Sequence, residues 1–316
     1  MRLNRLVIIL FAIMFMTNCS KIDIKNGRGF RYYNGGEYYG SNPSMSPDGT
    51  KIVFGSIRYN AGDICIVNRD GSNWKRLTNT NSYEGEAKFS PDGLKIVFVS
   101  ERDDNNTGHI YVMNSDGSNL VRLTNMKHYD SSPSFSPDGC KIVFTRQLQT
   151  YNNEIFIMNA DGSDQKRLTF TNIGESNPLF LYDKNKIYYS ILNKNQRVEI
   201  WVMNIDDSKS ARLLEMEKDV SFVNISFDGQ KIVFLSSKGT NYENDSYTNI
   251  EIWIMNRNNK RQKQLTHTTH YKSFSTFTPD GNKILFLEHE KRGRGKGQIR
   301  IIDTDGTNLR TITNNY

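Results

Sequence analysis

Cysteine is scarce in this sequence, with three residues in 316, at positions 19, 65 and 140. Three thiols so far apart make neither a disulfide framework nor a metal knuckle. Seven prolines accompany 23 glycines without a Gly-X-Y period, which excludes a collagen. Apart from one stretch near the start there is no long apolar run, and a mean hydropathy of -0.62 excludes a polytopic membrane protein. The nucleophile elbow Gly-x-Ser-x-Gly, the phosphate loop of nucleotidases and the dinucleotide-binding glycine fingerprint are all missing. The net charge of +7 is mild for this length and is no nucleic-acid signature. Aromatic residues make up 11%, too many for a disordered polymer.

The one apolar run is Leu6 to Met16, eleven residues preceded by Arg2 and Arg5. A membrane span needs about 20 such residues, so the run reads as the core of a secretion signal covering residues 1–18. Cys19 follows directly and resembles the cysteine of a bacterial lipobox, whose thiol takes a diacylglyceryl group. Residues 19–41 then form a lipidated tether, although Asn18 stands where a small residue is usual. The alternatives are an uncleaved anchor and ordinary cleavage nearby, and no Ala-x-Ala site favours the latter. Ser20 after the cysteine, in place of the aspartate that retains lipoproteins at the inner membrane, points to the outer membrane.

Self-similarity organises the rest. Ser90-Pro91-Asp92-Gly93 runs into Lys95-Ile96-Val97-Phe98, and the turn recurs at Ser46, Ser136 and Thr278, with degenerate copies at Ser226 and Leu181. The six turn aspartates stand at 48, 92, 138, 183, 228 and 280. An Ile-x-x-Met-Asn strand and an Asp-Gly-Ser turn leading into Arg-Leu-Thr keep the same phase. Each unit of about 45 residues reads as four short strands. Proline presets φ in the turn, aspartate accepts local backbone bonds and glycine takes positive φ. The second strand is apolar at consecutive positions (Ile142-Val143-Phe144), so both of its faces are covered. The expected fold is an all-β, six-bladed propeller of four-stranded antiparallel blades. Its domain spans residues 42–316, with blades at about 42–79, 84–125, 130–170, 175–215, 220–267 and 272–314.

These motifs resemble the TolB-type, WD40-like β-propeller repeat over roughly residues 42–316. The resemblance implies a periplasmic propeller that binds an envelope protein, with a peptidoglycan-associated lipoprotein as the implied partner. Family members carry an α/β domain before the propeller, for which residues 20–41 are too few. Residues 30–34 offer a further outer strand for the last blade, in competition with Arg310 to Thr313.

Two turns of each blade share one face and are short. The other face carries the variable loops, where binding residues usually sit. Arg and Tyr dominate binding hot spots, so the partner-binding expectation names Arg102, Tyr242, Tyr247, Arg292 and Arg294, with His270. The Gly- and Arg-rich run at 291–297 has no flanking aromatics and belongs to an exported chain, so no nucleic acid is expected. His267 and His270 form a pair without a third ligand, and Asp303 to Asn308 reads as a hairpin turn rather than a calcium loop. No catalytic residue, metal or cofactor is expected. The leading function is therefore a non-enzymatic interaction scaffold of the cell envelope. The alternative is a glycan-binding protein or a metal-dependent polysaccharide lyase using the central pocket, since propeller lyases of related repeat type use histidine clusters there. Peptidase propellers carry an appended hydrolase domain, and only three residues follow Thr313.

Overall fold

A computed structural model describes residues 41–56, 62–103, 107–149, 152–183, 185–217, 220–237, 250–268, 270–289 and 297–313. Twenty-four strands form six antiparallel sheets, each of four strands in simple sequence order. The sheets stand as blades around an axis, so the expected six-bladed propeller is the fold. The inner strands are Ser41–Met45, Glu84–Phe89, Asp130–Phe135, Glu175–Phe180, Val220–Ile225 and Tyr271–Phe277. Each is followed by the apolar second strand, then by the Ile-x-x-Met-Asn strand, then by a short outer strand.

The turn between the first two strands works as its chemistry requires. In blade 1 the Asp48 carboxylate accepts bonds from Ser46 Oγ (2.5 Å) and Thr50 N (3.0 Å), while Ser46 Oγ accepts from Lys51 N (2.9 Å). The same set recurs around Asp92, Asp138, Asp228 and Asp280. The serine bond in first place, with the backbone bond, holds the Asp48 carboxyl below the usual range. The threonine of Arg-Leu-Thr has a comparable task. Thr78 Oγ1 accepts the Ile64 N–H at 2.9 Å, and Thr124, Thr169, Thr266 and Thr313 repeat the bond in blades 2, 3, 5 and 6. Blade 4 lacks that threonine and runs a longer outer strand, Ser210–Glu215, with Met216 buried in the leucine's place.

Consecutive apolar residues in the second strand feed two different cores. Ile52 and Phe54 pack towards blade 6, and Val53 packs towards blade 2. Six such clusters fill the six seams, including the seam where blade 1 meets blade 6. There Met45, Ile52, Phe54, Cys65 and Val67 pack on Leu285, Leu287, Ile299, Ile301 and Ile312. The outer strand of blade 6 is Arg310–Thr311, so among the described residues every blade is one continuous stretch of chain. Residues 30–34 lie outside the described residues. Among the described residues the ring closes by packing across this seam.

Gly71, at φ 89°, sits on that seam, where an added Cβ would lie 2.3 Å from the Ile312 carbonyl oxygen. Gly281, at φ 67°, has no atom within 4 Å of such a Cβ. Alanine at either position meets the same backbone strain. Gly71→Ala is therefore expected to lower the melting temperature by roughly 5 °C more than Gly281→Ala. Equal losses in a calorimetric scan would show that the blade 1–6 seam does not limit stability.

Candidate functional site

The inner strands carry the same irregularity six times. Each is bulged three residues before its last apolar residue, and each bulge holds a non-glycine residue at positive φ. These residues are Asn42, Glu86, Ser132, Asn177, Phe222 and Phe274, with φ between 44° and 58°. An extra residue in one strand bends it and re-aims its side chains. The residues between bulge and strand end show the result. The next position (Pro43, Ala87, Pro133, Pro178, Val223, Ser275) is buried in every blade, whereas Asn42, Ser44, Lys88, Asn177, Leu179, Phe222, Asn224, Phe274 and Thr276 on either side keep partial exposure. The three prolines fit because the axial edge of an innermost strand has no neighbour to receive an N–H.

Contacts between neighbouring blades place the bulge residues around the axis. The Ser132 N–H donates to Glu86 Oε2 at 2.5 Å, and Ser132 Oγ donates to Asn177 Oδ1 at 3.5 Å. The rings of Phe222 and Phe274 meet edge to face, 5.5 Å apart. Asparagine tolerates the left-handed region, but phenylalanine does not. Holding each aromatic there costs about 1–3 kcal/mol, a strain that concentrates at functional positions. The bulge column is thus polar over blades 1, 3 and 4, holds the buried Glu86 at blade 2 and is aromatic at blades 5 and 6.

Above this wall, on the loop-rich face, tyrosines lie over glycines. A Cβ on Gly85 would meet the Tyr83 hydroxyl at 2.4 Å, and one on Gly108 would meet the Tyr129 ring at 2.7 Å. Tyr129 donates to Glu101 Oε1 at 3.3 Å, and burial holds its hydroxyl proton well above the usual tyrosine range. On the opposite face the turns of blades 4 and 5 place Tyr182 and Phe227 where other blades have proline. Their rings, 77% and 43% exposed, meet edge to face at 5.7 Å.

Of the residues expected to bind a partner, Arg102 and His270 lie among those described. Tyr242, Tyr247, Arg292 and Arg294 lie outside them, as does Cys19. Arg102 donates to the buried Glu84 carboxylate through both Nε (3.0 Å) and Nη2, and its guanidinium lies over the Tyr111 ring at 5.2 Å. With 18% of its side chain exposed, it serves as an internal strut as much as a surface anchor. His270 is 45% exposed, with Nδ1 3.6 Å from Glu288 Oε2. The two sit on blades 2 and 6, which are not neighbours. Sequence reasoning missed the bulge column. Its signal was a fixed offset, three residues before the apolar residue that precedes each Ser-Pro-Asp-Gly turn.

Buried ion pairs staple the same face. Asp63–Arg76 (2.7 Å), Asp130–Arg146 (2.7 Å), Glu154–Arg167 (2.9 Å) and Glu251–Lys272 (3.0 Å) each bury their carboxylate. Glu175 breaks the rule. It accepts bonds from Thr171 Oγ1 (2.6 Å) and Thr169 Oγ1 (3.2 Å) but has no basic partner among the described residues, and it lies near Glu154. Burial first, then the Glu154 charge, pushes its carboxyl up to about 7. Among the described residues no three His, Cys, Asp or Glu side chains gather as a metal site. The Asp303 to Asn308 segment is a hairpin turn in which Asp305 accepts the Thr307 N–H at 2.9 Å.

Residues 15–151 and 122–312 match the family model of the TolB β-propeller domain. No curated protein matches the chain. Among solved structures it is similar to TolB from Acinetobacter baumannii, with 21% identity and a TM-score of 0.65 over 84% of this chain and 60% of that one. A protein from Agrobacterium tumefaciens assigned to TolB gives 19% and 0.63, over 78% and 86%. An oligogalacturonate lyase in complex with manganese gives 16% and 0.58, over 87% and 79%. At these identities the likeness is one of fold. The chain spans 60% of the length of the Acinetobacter protein.

The raised carboxyl of Glu175 gives a pH signature. Its folded value lies above the unfolded value, so its protonated form stabilises the fold in acid, and that contribution is lost as pH rises from about 4.5 through about 7. Glu175→Gln is expected to raise the melting temperature at pH 8 by roughly 5 °C and to change it little at pH 4.5. An equal effect at both values would contradict the buried, unpaired carboxylate.

Proposed function

The chain belongs to the TolB β-propeller domain family, and from that premise we propose that it is a non-enzymatic scaffold of the cell envelope that binds a protein partner across its loop-rich face. It is exported by the segment 1–18 and held at the outer membrane by lipid on Cys19. Its partner is an envelope protein, a peptidoglycan-associated lipoprotein being the class the family implies. The observation that carries this reading is the match to the TolB propeller family over residues 15–312. A rigid ring supports it physically. Six filled seams fix the blades, so loops of variable length are displayed without reorganising the scaffold, and a preorganised surface loses less entropy on binding. Arg102 and His270 lie at the base of that face, and the loops bearing Tyr242, Tyr247, Arg292 and Arg294 belong to it by sequence order.

The likeness to an oligogalacturonate lyase favours a second reading, a glycan-binding protein or metal-dependent lyase working in the central pocket. The two readings separate cleanly. Crosslinking in intact envelopes followed by pull-down is expected to recover one protein with the wild type and to lose it when Tyr247, Arg292 and Arg294 are all replaced by alanine. Unchanged recovery would reject this face. Stoichiometric metal in the purified protein, with a polysaccharide-cleaving activity abolished by His270→Ala, would instead establish the enzyme. The anchor has its own test. Cys19→Ala is expected to move the protein from the membrane pellet to the soluble fraction, and retention in the pellet would reject lipidation.

A further inference from the structure

Blade 2 puts into the axial channel a group with no counterpart in the other blades. Lys88 occupies the position that is Ser44, Ser134, Leu179, Asn224 or Thr276 elsewhere. It pairs across the sheet with Val97, which packs in the seam with blade 3, so its side chain points along the inner wall on that side. Burial dominates the surroundings of the amine, yet the residue as a whole keeps partial exposure, the situation of a side chain along a narrow lumen. Among the described residues nothing hydrogen-bonds or ion-pairs with it. Lys272, a fully buried lysine, shows what full compensation looks like, with bonds to Glu251 Oε2 at 3.0 Å and Thr268 Oγ1 at 2.6 Å. The one charge acting on Lys88 is Glu86, whose carboxylate is committed to the Ser132 N–H at 2.5 Å and is itself 1% exposed. Burial draws the amine down to about 8, which leaves it cationic at neutral pH.

In a ring of six blades, blade 5 stands opposite blade 2. The wall facing Lys88 is therefore the aromatic one, where Phe222 and Phe274 are held in left-handed backbone and meet edge to face. Asparagine and serine fill the same bulge in blades 1, 3 and 4, so the fold does not demand an aromatic there. A lysine with no hydrogen bond or ion pair among the described residues on one wall, and on the other two strained, partly exposed rings that also pack against the seam clusters of blades 5–6 and 6–1, make an amphipathic slot. Its complement carries a negative charge at one end and a flat or apolar body at the other.

We propose that the axial channel binds a carboxylate attached to a ring-shaped or apolar body, with Lys88 Nζ pairing the carboxylate and Phe222 and Phe274 packing against the body. Asn177, partly exposed on the wall between them, is placed to hydrogen-bond polar substituents. The inference goes beyond the scaffold reading, because the loop-rich face can hold a protein whether or not the channel is filled. Two sources share this chemistry, an aryl or acyl carboxylate and a sugar acid, and the probes distinguish them.

The test is ligand-observed NMR and calorimetric titration of the purified protein at pH 7. The probes are N-acetyl-phenylalanine and galacturonic acid, with N-acetyl-phenylalaninamide as the uncharged control. At least one acid is expected to bind and the amide to bind at least about tenfold more weakly. Lys88→Met is expected to weaken the acid about tenfold or more without lowering the melting temperature, since it removes a desolvated cation that makes no hydrogen bond or ion pair among the described residues. Should that variant misfold, Lys88→Gln carries the same comparison. Glu86→Gln is expected to tighten binding by removing a like charge, and Phe222→Leu to weaken the aryl acid. Binding of N-acetyl-phenylalanine alone assigns the aryl source, and binding of galacturonic acid alone assigns the sugar acid. No binding by either acid, equal binding of acid and amide, or unchanged binding in both Lys88 variants would overturn the proposal.

Discussion

Six innermost strands must run side by side around an axis without pairing to one another, and this constraint shapes what the protein can do. A free strand edge normally invites another strand. Here each edge is bent by a bulge at the same place, with one residue in left-handed backbone. The bulge ends regular pairing with the second strand for a residue or two and turns a side chain towards the axis. Proline in three of the six strands removes a donor that would otherwise face the lumen unpaired. The same device that blunts the edges thus creates a ring of six positions whose side chains can vary without disturbing the blades.

Around that ring, stability comes from the seams. The apolar second strand serves two of them at once, because successive residues point to opposite faces. The blade 1–6 seam is chemically like the other five, and among the described residues its apolar cluster is what closes the circle. Electrostatics supplements packing on the loop-rich face, where buried carboxylates take an arginine or lysine from an adjoining strand. Three of these pairs tie strands within one blade and Glu251–Lys272 ties blade 5 to blade 6, and Glu175, with threonines in place of a cation, marks where that support depends on pH.

The fold was legible because its signals are local and repeated. Ser-Pro-Asp-Gly specifies a turn through bonds among its own residues, and Arg-Leu-Thr returns a hydroxyl to the neighbouring strand. Consecutive Ile-Val-Phe reveals two covered faces without knowledge of what covers them. The axial wall was not legible in the same way. Glu86, Ser132 and Phe222 look unrelated in sequence, since what they share is a backbone conformation imposed by the ring. Arg102 reads as a surface anchor from its loop position, and the structure adds that the buried Glu84 on the adjacent strand takes up its guanidinium. Such partners are set by three-dimensional neighbours, which single-sequence periodicity does not contain.

An accessible lumen is expected where Asn42, Asn177, Phe222 and Phe274 of the bulge column and Lys88, Leu179, Asn224 and Thr276 near the strand ends keep partial exposure, with the residue between the two positions sealed in a seam. Single cysteines at Asn177, Asn224 and Val223, in a Cys140→Ser background that retains the buried Cys65, measure this directly. A small charged methanethiosulfonate should label the first two in the folded protein and leave the third silent until the chain unfolds. Equal labelling of all three, or of Val223 alone, would contradict the axial arrangement on which the site depends.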